Sequence, residues 1–336
     1  NDDLRNPPVG VTRCQVSLGL WAGSQLQSDI ETASEAYFRY YADQSAQALS
    51  DRGRYATART HKDIVVVARW IQRDLERDEI LRRLHEDLRN RELPPDDKAL
   101  QGTIDLTARL ALMMEVGSLG CSFTGGTRVD WESGSLRECV ERHFGSQPAL
   151  DENVRLEKLF VARNLGRIAG LEILWTENLA DHLRLTDDNQ KVSIFHHVTF
   201  LQMHATSLIP DHVMKETMRT LALLFPQSDQ PTRKWLRSVQ LREGLDPAIL
   251  TCGSLRIDTR HVGAFHCWRD RITVLKQVFD DAEPKTISQW WNDRRKGVQW
   301  YTFWVAILVL VLTILFGMIQ CIEGALQVYL AFKSSN

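Results

Sequence analysis

Cysteine and histidine are the side chains here best suited to metal binding or nucleophilic chemistry, and Cys252, His261, His266 and Cys267 fall in one stretch. Thiolate and imidazole are the ligands zinc prefers, but structural zinc sites draw them from short, regular spacings. No CxxC or HxxxH spacing occurs, and adjacent His266 and Cys267, read as helical, would point in different directions. No metal or other cofactor is expected. His196 and His197 end a stretch that alternates like a strand, so one ring should face inward and the other outward. A structural histidine is a plainer reading there than a catalytic base. Cys121, in a glycine-bearing region, is the thiol a hydrolase could use if a histidine lay beside it in space. The chain has no GxSxG, HExxH, phosphate-loop or dinucleotide fingerprint, and Gly117, Gly120, Gly125 and Gly126 lack the lysine of a phosphate loop. The expectation is a protein that is not an enzyme.

The 336 residues are 43% apolar, enough for a sizeable core. Basic and acidic groups nearly cancel, 41 against 43, so no global field draws the chain to nucleic acid. The six cysteines lie far apart, which predicts reduced thiols rather than a disulfide scaffold. No asparagine has the glycosylation spacing, consistent with a body facing the cytosol. The chain begins at Asn1 rather than Met, so upstream sequence could be missing, although nothing near Asn1 has a signal-peptide pattern.

Tyr301 to Ile322 carries no charge over 22 residues. As a helix it would measure ~33 Å, close to the thickness of a bilayer core. Trp300, Tyr301 and Trp304 at one end, and Tyr329 and Phe332 near the other, suit the headgroup level, and Trp290 and Trp291 suit the surface before it. Lys285, Arg294, Arg295 and Lys296 precede the span against Asp293, whereas Lys333 lies beyond it, so the positive-inside rule puts the body in the cytosol. So short a tail after the span implies insertion after synthesis, as in a tail anchor. Thr313, Gly317, Gln320, Gly324, Gln327 and Ala331 recur at steps of four and three, a seam of small and polar groups through which copies could associate into a homo-oligomer. Glu323 lies beside it, where an acid could snorkel to the interface, bond between chains or line an ion path.

The elements before this span read as mainly α. Residues 1 to 27 look like an extended or disordered lead-in, and residues 28 to 98 a helical region. In it Ser28 to Leu49 is a helix with Tyr37, Phe38, Tyr40 and Tyr41 clustered, and Asp63 to Glu92 a long helix with an apolar face of Val67, Trp70, Ile71, Leu75, Ile80, Leu81, Leu84 and Leu88. Asp78 with Arg82, and Glu79 with Arg83, would pair on its solvated face, and Pro94 and Pro95 would end it. Residues 99 to 283 form the helical body: helices over Ala99 to Val116, Ser133 to Phe144, Glu152 to Ala169, Asp211 to Leu224, Thr232 to Gln240 and Val262 to Phe279. Between them Leu183 to His196 reads as a β-hairpin with DDNQ at its turn. A helix before this ribbon suggests a winged-helix-like unit around 152 to 204, suited to protein contact because it lacks a basic recognition helix. Residues 284 to 300 are a basic and aromatic juxtamembrane tract, and 301 to 332 the transmembrane helix with its extension.

From about residue 100 onward the stretches LFVARNL, WTENLADHLRL, TLALLFP, WRDRITVLKQVFD, WWNDRRKGVQWYTFWVAILVLVLTILFG and IQCIEGALQVY resemble a group of membrane proteins of filamentous fungi without assigned activity. This implies a membrane-anchored protein and no mechanism. Phe316, Gly317 and Met318 at the end of a long helix also look slightly like the Gly-Met-Asn of CorA-type magnesium channels. Ile319 stands where the asparagine would be, and the remaining apolar stretch, broken by Glu323, is too short for a second span. The expectation is therefore a membrane-anchored scaffold or signalling protein that self-associates through its anchor and meets a cytosolic protein partner; a divergent CorA-like channel or transporter subunit is the alternative. Val305 to Leu312, with Ala306 its one small residue, offers no polar pore lining.

Overall fold

The computed structural model describes residues 2–21, 35–50, 55–90, 96–117, 125–145, 154–203, 208–283 and 297–334. They divide into a helical body, within residues 1–166 and 171–281, and a second unit made of 167–170 and 282–336.

The N-terminal stretch is not a loose lead-in. Helix α1, Val11–Leu20, buries Val16, Leu20 and the adjoining Trp21. Its start carries no side-chain cap, only Gly10 at φ 51°, so the usual helix-start signature is missing. Tertiary contact holds it: a Cβ on Gly19 would meet Val65 Cγ1 at 2.6 Å, and Gln72 Nε2 donates to the carbonyl of Gly19 at 3.0 Å. Helix α2, Glu35–Ala48, places Tyr37, Phe38, Tyr40 and Tyr41 in the core, with the Tyr37 ring 4.5 Å from Trp21. Residues 28–34 of the expected helix lie outside the described residues.

The long helix expected from Asp63 to Glu92 is two helices. α3, His61–Gln72, opens on a capping box in which Asp63 N donates to Thr60 Oγ1 at 3.2 Å and Thr60 N to Asp63 Oδ2 at 3.0 Å. It ends before Asp74, whose φ of 60° turns the chain into α4, Arg77–Asn90. Aspartate tolerates this left-handed region better than most residues, so the apolar periodicity runs on while the backbone breaks. Glu79 pairs with Arg83 at 2.8 Å and also takes Arg82, which does not turn to Asp78.

Helix α5, Asp97–Leu112, is buried on nearly every side, as a central helix must be when neighbours surround it. It packs against α2, α3 and α4. It stops short of Val116: Met113 adopts φ 48°, and Glu115–Val116 becomes strand β1, parallel to β2 at Arg128–Val129. Helix α6, Leu136–His143, is capped by Ser135.

The helix expected over Glu152 to Ala169 shrinks to α7, Ala162–Arg167. Before it the chain bridges Arg155 to His261, with Leu156 N on the carbonyl of Arg260 at 2.9 Å, and then turns, with Phe160 N on the carbonyl of Glu157 at 3.0 Å. The Arg260 guanidinium donates to the carbonyls of Leu156, at 3.0 Å, and Glu157, at 2.7 Å. Backbone groups so engaged cannot also make helical bonds. Among the described residues the expected winged-helix-like unit therefore has only this short helix ahead of its ribbon.

The expected hairpin is present, but as part of a three-stranded sheet in the order β3, β5, β4. β3 is Glu172–Thr176, β4 Leu185–Thr186 and β5 Lys191–Phe195. Central β5 runs antiparallel to β4, with Leu185 opposite Val192, and parallel to β3, with Glu172 opposite Lys191. Asp187, Asp188 and Asn189 all take positive φ at the turn. Helix α8, Val198–Met203, comes next in the chain; α9 spans Asp211–Leu224 as expected. Beyond it, α10 covers Gln230–Glu243 between an Asp229 cap and Gly244 at φ 65°, longer at both ends than Thr232 to Gln240. α11 covers Arg269–Asp281, and Val262–Ala264 is a separate short turn. Glu216 of α9 accepts the backbone N–H groups of His266 and Trp268, both at 2.8 Å, just before α11.

In the second unit, α12 runs unbroken from Gly297 to Ser334, 38 residues.

Candidate functional site

Helix α12 is the element on which most of the expected site residues fall. Its stretch Trp300–Leu330 has the length and composition to cross a membrane, and none of its most apolar window is buried. Leu308, Val309 and Phe316 expose more than half of their surface. In water such a face would cost roughly 25 cal/mol per Å² of apolar area.

Aromatic side chains gather at the start of the helix, with Trp300 5.1 Å from Tyr301 and 6.2 Å from Trp304. Tyr329 lies exposed near the other end. Trp290, Trp291, Arg294, Arg295 and Lys296 lie outside the described residues. Because α12 is continuous, Thr313, Gly317, Gln320, Gly324 and Gln327 share one face, within roughly 80° of arc at about 100° per residue. Nothing approaches a Cβ built on Gly317 or Gly324 within 4 Å. Thr313 Oγ1 returns its proton to the Val309 carbonyl at 2.8 Å, the self-satisfaction a hydroxyl needs among lipid tails. Glu323 is exposed beside this face.

In the body, the Cys and His group does not converge. Among the described residues no set of three or more His, Cys, Asp or Glu side chains could hold a metal ion. His266 and Cys267 are not on a helix as expected; they lie in a bend before α11 and line the same ≈580 Å³ cavity. Burial, with Glu216 nearby, pushes the Cys267 thiol up to about 12, and burial with Asp246 does the same to Cys252. Both stay protonated and poorly nucleophilic. The described cysteines form no disulfide. Cys121 lies outside the described residues.

His196 and His197 do not alternate. Both are buried, stacked with centroids 4.0 Å apart, because β5 ends at Phe195 and the chain turns into α8 instead of keeping its pleat. His196 Nδ1 accepts the Asp246 N–H at 3.3 Å, while the Asp246 carboxylate takes Thr199 N at 2.6 Å and Thr199 Oγ1 at 2.9 Å. Neither ring nitrogen of His197 has a hydrogen-bond partner among the described residues. Burial, with Arg39 nearby, lowers His196 to about 4; burial and then His196 push His197 well down too. Buried His182 falls to about 3, its Nε2 2.6 Å from Thr220 Oγ1.

Sequence reasoning missed a cleft of ≈790 Å³ in this body. Arg109 of α5, Tyr40 of α2, Trp175 and Glu177 at the end of β3, Arg184, Lys191 and His196 all line it. Asp181 forms one wall: it accepts Thr127 N at 2.7 Å, Asn178 Nδ2 at 2.9 Å and Arg184 Nη1 at 3.0 Å. A Cβ on Gly126 would come within 2.7 Å of its Oδ2, so that wall requires glycine there. The sequence signal for it was Arg109, a charge inside a largely apolar helical run.

Comparison with known proteins returns no match from family models, curated proteins or solved structures.

Proposed function

We propose that this chain is a membrane-anchored, non-enzymatic scaffold or signalling protein, its helical body in the cytosol and its copies associating through the Thr313 to Gln327 face of α12. The observation that carries this reading is the 31-residue stretch Trp300–Leu330, apolar and uncovered in its own unit. At ~1.5 Å per residue it measures ~46 Å, enough for a ~30 Å hydrocarbon core and both headgroup boundaries. The aromatic groups near its ends and the excess of basic residues before it support the orientation. Burial that keeps the Cys252 and Cys267 thiols protonated supports reading neither as a nucleophile.

The test is alkaline carbonate extraction of membranes from cells making the full chain, with protease added outside sealed vesicles. The chain should stay in the membrane pellet while the body is digested from the cytosolic side. Removing residues 297–334 should release it. Extraction of the intact chain by carbonate, or protection of the body inside vesicles, would overturn the reading.

A further inference from the structure

Arg109 is 2% exposed, yet it forms no ion pair with any described residue. Its Nε donates to the Val116 carbonyl at 2.9 Å and its Nη2 to the Gly117 carbonyl at 3.4 Å. Nη1 has no acceptor among the described residues. Glu115 and Asp105 offset part of its charge through space, and Asp105, one turn back on the helix, is itself ion-paired to Arg77 at 2.7 Å. A buried cation satisfied by neutral carbonyls retains most of its desolvation cost, and an anion brought to it recovers that cost. The cleft gives an anion access.

Two further groups on the same wall define what else the occupant carries. His196 Nδ1 accepts a backbone N–H, so the neutral ring holds its proton on Nε2 and can donate it. Glu177 lines the cleft and makes no hydrogen bond or ion pair with any described residue. Burial and then Asp43 raise its carboxyl above the ordinary range, as expected of an acid awaiting a donor. Among the other acids of the lining, Asp181 pairs with Arg184, Asp187 with Lys191 at 3.2 Å and Glu243 with Arg242 at 2.8 Å, while Glu115 lies close enough to Arg109 to act on it through space.

We propose that this cleft is a binding site for a small polar organic anion, whose carboxylate or phosphate group is taken by Arg109 and whose hydroxyl or amine donors face Glu177. The site lies wholly within the body and stands independently of the anchor. It would give the body a ligand-sensing role that a passive scaffold lacks.

The test is isothermal titration of the full chain in detergent micelles with glycerol 3-phosphate, L-aspartate and inorganic phosphate, at low and physiological salt. At least one organic anion should bind saturably and more tightly than inorganic phosphate. Arg109→Gln should weaken that binding at least tenfold. Should that buried change prevent folding, Glu177→Gln serves instead: it removes a negative charge from a partly exposed position and should change affinity for the organic anion severalfold while leaving inorganic phosphate tightened or unaltered. Absence of saturable binding by all three probes overturns the proposal. So does binding unchanged in folded Arg109→Gln, or in Glu177→Gln where Arg109→Gln does not fold.

Discussion

His196 and His197 stack face to face with ring centroids 4.0 Å apart, held between Trp175 on one side and Tyr40 and Phe195 on the other. Two imidazoles so close cannot both become charged without repulsion, and burial disfavours even one charge. The unfolded chain protonates its histidines near pH 6.5, whereas folded His196 waits until about 4. Between those values the unfolded state binds more protons, so stability falls as pH drops through this window. Thermal unfolding midpoints measured from pH 7 to 4 should show this decline, and His197→Phe should make it shallower. An unchanged slope in that variant would remove the pair as the cause.

Asp105 and Arg77 form a buried ion pair that joins α4 to α5, with side chains 7% and 11% exposed. Truncating one partner leaves the other buried and uncompensated, at a cost of about 3 kcal/mol. Asp105→Ala should therefore unfold at markedly lower urea concentration than the native chain. Gly117→Ala should also destabilise, since its Cβ would overlap the Asp105 carboxylate and its φ is 63°. Native-like midpoints in both would contradict this arrangement.

Arg260 holds residues 154–161 in their non-helical path through carbonyl bonds to Leu156 and Glu157. Bonds from a charged donor contribute ~1.5–3 kcal/mol each. Arg260→Ala should expose this segment to limited proteolysis several times faster than in the native chain, with cleavage mapped by mass spectrometry. Equal cleavage rates would show that the segment is held by its apolar contacts alone.

Gly317 and Gly324 leave open space on one face of α12. Replacing both by leucine should keep the helix in membranes and weaken self-association about tenfold, the scale of packing contacts between membrane helices. Light scattering in mild detergent reads this directly, and an unchanged oligomer mass would refute the seam.

Local patterns were legible wherever the causes of structure are local. The hairpin around DDNQ, α6 within the expected Ser133 to Phe144, α9 from Asp211 to Leu224 and the uncharged stretch in α12 arise from turn chemistry and hydrophobic period. Where a long-range partner decides, the same rules fail. α1 lacks a side-chain cap and forms against α3; residues 154–161 give up a helix for Arg260; β3 pairs in parallel with β5, which is not the next strand in sequence. The break at Asp74 is a backbone event that leaves the apolar spacing intact and therefore no trace in it.

Sequence alone determined that one helix would be long and apolar enough to cross a membrane, since hydropathy is additive along a single helix and needs no neighbour. Only the tertiary structure decided that buried Arg109 would line a cleft with no ion pair to any described residue and that His196 and His197 would both turn inward. Those outcomes depend on which groups from distant parts of the chain meet in space. Burial then sets their charge and hydrogen bonding, and no spacing rule along one segment encodes it.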